Sequence, residues 1–242
     1  MDFYASIAAY YDYIFPLEEK QVGFISKNLD VAIHKSIIDI GCGTGNLAIA
    51  LEKKGFKITG IDLKAEMIEK AQMKINGEMI SFQRANMNRL LDYFPENAFD
   101  AGVCIGNTLV HLESLGQIER FLSQVFKILK PGGKLIAQII NYDKVLSENI
   151  DHLERIENDD VLFERFYEYD LEDFKIKFKT KLQIKKENNR LVENSVKIFP
   201  LRKKELQNLL DKTGFKNVSY YDNFSGDEYT GNNMHMIFVA EL

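Results

Sequence analysis

Ser36-Ile37-Ile38-Asp39-Ile40-Gly41-Cys42-Gly43-Thr44-Gly45-Asn46 is the stretch that decides the fold. Ile37, Ile38 and Ile40 form a short β-branched run, suited to a strand buried on both faces. Three alternate glycines interrupt it, and Leu47-Ala48-Ile49-Ala50 begins a helical pattern. Alternate glycines at a strand-to-helix turn allow unusual dihedrals and let a ligand approach the backbone. The turn also aims unpaired N–H groups and a helix N-terminus at that ligand. The dinucleotide fingerprint G-x-G-x-x-G holds pyrophosphate this way. Here the sixth position is Asn46, and Asp39 stands two residues before the first glycine. A carboxylate repels pyrophosphate and attracts an ammonium group. The turn therefore predicts a nucleotide-type cofactor with positive charge near the loop.

The neighbouring segments alternate helix and strand. A helix is expected over Thr44–Lys54, stopped by Gly55, and a second strand over Lys57–Asp62. Asp62 lies 21 residues beyond Gly41 (62 − 41), the spacing of the acid that holds ribose hydroxyls in nucleotide-binding βαβ units. It also suits a helix N-cap, and one residue can serve both purposes. Leu63 and Met67 are expected to face the adenine edge. Ala65–Ile75 reads as a helix, Met79–Arg84 as a third strand and Phe99–Ile105 as a fourth. Glu113–Leu129 reads as a helix closed by Lys130-Pro131-Gly132-Gly133, and Lys134–Ile140 as a buried fifth strand. Pro200–Lys212 makes a further helix, and Lys216–Tyr221 and Asn233–Ala240 the last strands.

Asp-Ile-Gly-Cys-Gly-Thr-Gly-Asn at 39–46 resembles the first motif of the Rossmann-like (class I) S-adenosylmethionine-dependent methyltransferases. Gly106-Asn107-Thr108-Leu109-Val110-His111-Leu112 and Asn141-Tyr142-Asp143 are similar to the glycine/sarcosine N-methyltransferase group and its small-molecule relatives. The resemblance implies an α/β fold with a mostly parallel seven-stranded sheet and a reversed last strand. It implies S-adenosylmethionine as cofactor, S-adenosylhomocysteine as product, and Asp39, Gly41, Gly43 and Asn46 around the cofactor. In such relatives a tyrosine of the Tyr10-Tyr11-Asp12 element lies against the cofactor, which would be Tyr11; an aromatic face attracts a sulfonium. Asn86 and Met87 replace the family's acid-plus-hydrophobe pair at the adenine, where the Asn86 carbonyl can accept. Gly106 would let the backbone approach the methyl end. Asn107, His111 and Tyr142 become candidates for the acceptor side, with His111 either taking a proton from an ammonium acceptor or holding the loop.

Two segments fall outside that pattern. Phe3–Phe15 is aromatic and ends at Pro16, which predicts either a packed helix or a lid of about residues 1–19, with Tyr4 a weaker acceptor-side candidate. Val22–Leu29 reads as a helix leading to the first strand. Residues 150–200 turn to period-two alternation, as in Lys175-Ile176-Lys177-Phe178-Lys179-Thr180-Lys181-Leu182, with a hairpin turn at Asn188-Asn189. They predict a small inserted antiparallel β flap over the acceptor pocket. The lysine row is read as a solvated face with cross-strand charge pairs. The whole is expected to be one domain, 1–242, with its core at 20–145 and 200–242.

The chain of 242 residues, 45% hydrophobic, is long enough for one large α/β domain with an appendage. A net charge of −5 without a basic block disfavours nucleic acid as a partner. Cys42 and Cys104 lack metal-ligand spacing and read as small thiols in the interior. No metal site is expected. The N-terminus lacks a leader pattern and no apolar run suits a membrane, so a cytoplasmic protein is expected. The reading is methyl transfer to a small-molecule acceptor, with an amine favoured. Its rivals are a non-catalytic S-adenosylmethionine-binding module, a macromolecule (RNA or protein) methyltransferase, and a nicotinamide oxidoreductase, which the missing third glycine and Asp39 disfavour.

Overall fold

The computed structural model describes residues 7–170 and 173–242. At its centre β1 (Ser36–Ile40) carries Ile37, Ile38 and Ile40, all fully buried. β2 (Lys57–Asp62) pairs with it in parallel, Asp39 opposite Gly60, and β3 (Ile80–Arg84) adds the next parallel strand. On the other side lie β4 (Phe99–Cys104) and β5 (Leu129–Ile140), also parallel. The last two strands, β10 (Lys216–Tyr221) and β11 (His235–Glu241), are antiparallel to each other, and β11 is antiparallel to β5. The order is β10-β11-β5-β4-β1-β2-β3, with β11 the reversed strand.

Side-chain alternation along β1 explains why helices cover both faces. Ile38 and Ile40 join one cluster with α5 (Leu115–Ile128) and α7 (Lys203–Thr213). Ile37 joins another with α2 (Glu19–Asn28), α3 (Asn46–Glu52) and α4 (Ala65–Met73). In α5, Ile118, Phe121, Leu122 and Val125 recur at helical spacing and are all buried, while Ser114 Oγ accepts from Gln117 N at 3.3 Å to cap the start.

One local expectation needs correction, and two segments gain detail. Lys130–Gly133 does not separate a helix from a strand starting at Lys134. It lies within β5, and pairing skips from Phe99–Leu129 to Ala101–Lys134, so the proline–glycine segment bulges out of a strand already begun. Asn141-Tyr142-Asp143 opens a short helix, α6 (Tyr142–Ser147), capped by Asn141 Oδ1 accepting from Lys144 N at 3.2 Å. The insert, expected as an antiparallel flap over residues 150–200, has four strands: β6 (His152–Glu157), β7 (Val161–Asp170), β8 (Lys175–Ile184) and β9 (Arg190–Ile198), each antiparallel to the next. Asn188 and Asn189, at φ 51° and 59°, make the β8–β9 turn in the left-handed conformation that asparagine tolerates.

The lysine row of β8 faces acidic partners. Lys177 lies 3.9 Å from Glu168, Lys181 lies 3.5 Å from Glu193, and Lys179 also pairs with Glu168. On the opposite face of the insert, Val161, Phe163, Leu182 and Ile184 pack with Ile7 and Ile14. The N-terminal segment, including the single helical turn α1 (Tyr11–Ile14), is thereby fastened to the flap. Phe3 and Tyr4 lie outside the described residues. No helix among the described residues is long and apolar enough to cross a membrane.

Candidate functional site

The carboxyl ends of β1, β4 and β5 open into a cavity of about 570 Å³, closed on the far side by the N-terminal segment and the flap. Its floor is the glycine turn after β1. Gly41 (φ 76°) and Gly45 (φ 81°) hold left-handed conformations. A Cβ on Gly41 would stand 2.4 Å from Thr108 Cγ2, and one on Gly45 would stand 2.5 Å from the Phe82 ring. Neither position admits a side chain, which fixes the turn close to the strands.

Asp39 is 2% exposed and lines this cavity. Its Oδ2 is buried and has no hydrogen-bond partner. Burial, then the neighbouring Asp62 carboxylate, pushes its carboxyl up to about 7. A buried, unpartnered carboxylate oxygen facing a cavity matches a ligand that brings a cationic hydrogen-bond donor.

Asp62, at the end of β2, accepts from Gly43 N at 3.0 Å through Oδ2 and from Lys64 N at 2.9 Å through Oδ1. It therefore splints the glycine turn and the start of the next segment. Burial raises its carboxyl against those hydrogen bonds. Each oxygen keeps lone-pair capacity for a further donor. Leu63 beside it is 49% exposed, as an edge waiting to be covered would be. Met67 is a correction: at 1% exposure it lies inside, on the buried face of α4, and has no adenine edge to offer. Asn86 is half-buried, and its Oδ1 already accepts from Asn88 N at 2.9 Å, capping the turn Met87–Asp92. Met87 packs against the core beside it.

Tyr11 stands over the turn. A Cβ on Gly43 would lie 3.1 Å from Tyr11 Cε1, so glycine here, at φ 53°, lets the ring sit directly against the turn. Burial, then Asp62, raises the Tyr11 hydroxyl well above the ordinary tyrosine range. The neighbouring Asp12 secures this placement. Its Oδ1 accepts from Thr44 Oγ1 and, at 2.9 Å, from Asn46 Nδ2, while its Oδ2 pairs with Lys74 Nζ at 2.5 Å. Lys74 also donates to Asn46 Oδ1 at 2.9 Å. Burial opposes ionisation of Asp12, but the hydrogen bonds from Lys74 and Thr44 hold its carboxyl below the usual range. Asn46 borders the cavity, yet both ends of its amide are committed to this latch. That assigns it to the lid more than to a ligand.

The turn after β4 forms the opposite wall. Gln138, a polar residue inside an apolar strand, accepts from Gly106 N at 2.9 Å through Oε1 and from Asn107 N at 3.2 Å through its carbonyl. Asn107, in the left-handed region at φ 63°, accepts from Ile140 N at 2.9 Å and donates to the Tyr142 hydroxyl at 3.0 Å. Its amide thus ties the ends of β4 and β5 together. Tyr142 has no exposure and lies outside the cavity lining, so the expectation that it touches an acceptor is corrected: the helix start at Asn141 turns its ring into the core. His111 does line the cavity. Burial, then the positive charge of Lys64, lowers its imidazole to about 4, so it is neutral at pH 7. Among the described residues no three His, Cys, Asp or Glu side chains cluster as metal ligands would.

The sequence offers Arg155, Arg165 and Arg190 as arginines available to a carboxylate without placing them, and it does not single out the Asp12–Thr44–Asn46–Lys74 latch or Gln138. Gln138 and Arg165 carried a readable signal, a polar side chain in phase with buried apolar ones. The latch joins residues as far apart as Asp12 and Lys74, and no periodicity reports it.

Residues 37–133 match the family model described as a methyltransferase domain. The Bacillus subtilis protein YqeM, named as a methyltransferase, is 34% identical over 110 residues, 45% of this chain and 44% of that one. The chain thus spans less than half the length of that relative. A glycine/sarcosine N-methyltransferase of Aphanothece halophytica is 27% identical over 223 residues, 90% of this chain and 80% of the relative. A crystal structure of a S-adenosylmethionine-dependent methyltransferase from Clostridium acetobutylicum has the same fold, with a TM-score of 0.82 over 100% of this chain and 99% of its own, at 17% identity.

Proposed function

We propose that this chain, which carries a domain of the methyltransferase family at residues 37–133, transfers the methyl group of S-adenosylmethionine to a small-molecule amine. The observation that carries this reading is the buried, unpartnered Asp39 Oδ2 beside a glycine turn whose Gly41 and Gly45 admit no side chain. Such a floor suits the ammonium end of this cofactor and repels a pyrophosphate, which counts against a nicotinamide cofactor. The similarity to a glycine/sarcosine N-methyltransferase supports nitrogen as the acceptor atom.

The cofactor, when bound, supplies a methyl group already activated by its sulfonium. The chain's own residues bind, orient and exclude water. Asp39 receives the ammonium group, and Asp62 accepts from the ribose hydroxyls with the lone pairs its two backbone bonds leave. The Tyr11 ring, held by the Asp12 latch, offers a π face to the sulfonium. His111, neutral at pH 7, orients the acceptor by hydrogen bonding and does not store its proton. The amine therefore reacts as the free base, and its proton leaves to water after transfer. The flap and the N-terminal segment form the lid of one domain.

Isothermal titration of the purified protein with S-adenosylmethionine and with S-adenosylhomocysteine tests the reading. Binding of both is expected, followed by turnover with an amine panel. Silence with both cofactors, in folded protein free of carried-over ligand, would overturn it. Binding without turnover of any acceptor would favour a sensor.

A further inference from the structure

Gln138 is the polar exception in a strand that ends at the cavity. Its neighbours on β5, Leu135, Ile136, Ala137, Ile139 and Ile140, are all apolar and buried, and Gln138 itself is 6% exposed. Its side chain nevertheless lines the cavity. Gly106 N lies 2.9 Å from its Oε1. A backbone N–H can only donate, so this contact decides which end of the amide is which: the oxygen faces Gly106 and the NH2 group is left over. Among the described residues no group accepts from Nε2. The neighbouring polar groups are engaged with one another. Asn107 accepts from Ile140 N and donates to the Tyr142 hydroxyl, and Thr108 Oγ1 donates to the Ile105 carbonyl. Gln138 therefore brings unused N–H donors to the cavity, beside Ile105 and Ile140. A buried donor without an acceptor costs stability that a ligand can return.

The reaction decides what the ligand offers it. A free amine has one lone pair, and methyl transfer needs that pair aimed at the methyl carbon. A donor on the same pair would compete with the transfer, so Nε2 must read another atom of the acceptor. A second amine would be protonated at pH 7 and have no lone pair to give; oxygen remains. Charge then decides which oxygen. Gln138, Asn107 and His111 are all neutral at pH 7, and the carboxyl group of Asp39 lines the same cavity. A carboxylate set among them would exchange its hydration for neutral donors and meet Asp39, whereas a hydroxyl or carbonyl oxygen gives up far less. Arg165 also borders the cavity, but from the flap, where Glu154 offsets its charge.

Resting on the methyltransferase reading above, we propose that Gln138 is a specificity residue of the acceptor site: its Nε2 donates to an uncharged oxygen, hydroxyl or carbonyl, borne close to the reacting amine, while its Oε1 keeps Gly106 in place. The acceptor is then an amino alcohol or an amine with a neighbouring carbonyl, and not a plain alkylamine.

The test uses the full chain saturated with S-adenosylhomocysteine and titrated calorimetrically with amines that share one body: trans-2-aminocyclohexanol, cyclohexylamine and trans-2-aminocyclohexanecarboxylate. The amino alcohol should bind about tenfold more tightly than cyclohexylamine, the worth of one hydrogen bond to a buried donor. The amino acid should bind more weakly than the amino alcohol. Gln138→Met removes the donor and should lower the ratio of alcohol to plain amine by about that tenfold. Ligand basicity is common to both proteins and cancels when their ratios are compared. Gln138→Glu keeps an oxygen toward Gly106 N but offers no donor at pH 9.5, above the range to which burial pushes a glutamate, and should lose the ratio that the wild type shows at the same pH. A side chain that only pins Gly106 would leave the ratio intact in Gln138→Glu. Binding of S-adenosylhomocysteine by each variant verifies its fold. Equal binding of the amino alcohol and cyclohexylamine to the wild type would overturn the proposal. So would tighter binding of the amino acid than of the amino alcohol, no binding of the amino alcohol, or a ratio that survives in either folded variant. Failure of the wild-type protein to take S-adenosylhomocysteine would instead overturn the methyltransferase reading.

Discussion

Replacing Asp39 by asparagine separates what this residue costs the fold from what it gives the cofactor. In the folded protein its carboxyl titrates near 7, against 3.8 for the ordinary side chain. A group whose folded value is raised favours folding at low pH and loses that advantage as pH climbs through the folded value. The penalty on the native state therefore grows between pH 4 and 7 and levels off above. About three pH units at ~1.4 kcal/mol each give a plateau of about 4 kcal/mol. Asparagine cannot ionise and removes the whole pH-dependent part. It brings a buried amide whose pairing changes stability by a roughly constant amount, so the slope and not the absolute value carries the test. Thermal unfolding of both proteins from pH 4.5 to 8.5, without cofactor, should show the variant gaining on the wild type as pH rises. For a chain of this size, ~3 kcal/mol corresponds to about 6–12 °C in Tm. Cofactor binding should move the other way. Wild-type affinity should improve about tenfold from pH 6 to pH 8 as Asp39 ionises, and the variant should bind about ten- to hundredfold more weakly at pH 8 with little pH dependence. Parallel stability curves for the two proteins, or a variant that binds S-adenosylmethionine as tightly as the wild type, would refute the reasoning.

Asp62→Ala removes the carboxylate that accepts from Gly43 N and Lys64 N together with the expected ribose contact, so calorimetry should show cofactor affinity reduced by about one to two orders of magnitude. Asp12→Ala unfastens Thr44, Asn46 and Lys74 from the N-terminal segment; limited proteolysis should cut before residue 20 markedly faster, and saturating cofactor should restore less protection than in the wild type. His111→Ala should lower kcat about tenfold with unchanged cofactor affinity. Because the imidazole is already neutral, the wild-type rate should show no inflection near pH 6.5 assignable to it.

The cofactor half was legible because its chemistry is written into local chain geometry. A buried strand, a glycine turn and an acid at the end of the next strand must occur in that order, at nearly fixed spacing, for a parallel βαβ unit to present backbone to a ligand. Ile37, Gly41, Gly45 and Asp62 could therefore be placed from the sequence. Asn107, Tyr142 and Asn46 were harder. Their residue types suit a pocket, but an amide at a strand end serves equally well as a splint, and three-dimensional partners decide. Ile140 N and the Tyr142 hydroxyl use both ends of the Asn107 amide, and Asp12 and Lys74 those of Asn46. Met67 was misplaced for a simpler reason. Leu63 lies four residues before it, outside the helix, and the extended Lys64 before α4 leaves Leu63 toward solvent while the helix turns Met67 inward.

The acceptor half follows a different rule, and Arg165 shows which part of it the sequence does contain. In the flap the period-two pattern fixes which side chains share a face, without saying what that face covers. Phe163 and Tyr167 bracket Arg165 at that period, so the chain already states that a guanidinium is turned inward among rings. An inward arginine is a net cost to a strand unless something pairs with it, and here the Glu154 carbonyl accepts from its Nη2 while the Glu154 carboxylate supplies opposite charge nearby. Local geometry thus fixes the floor of the cavity, which the glycine turn builds from neighbouring residues, while its other wall depends on which flap side chains long-range packing turns inward.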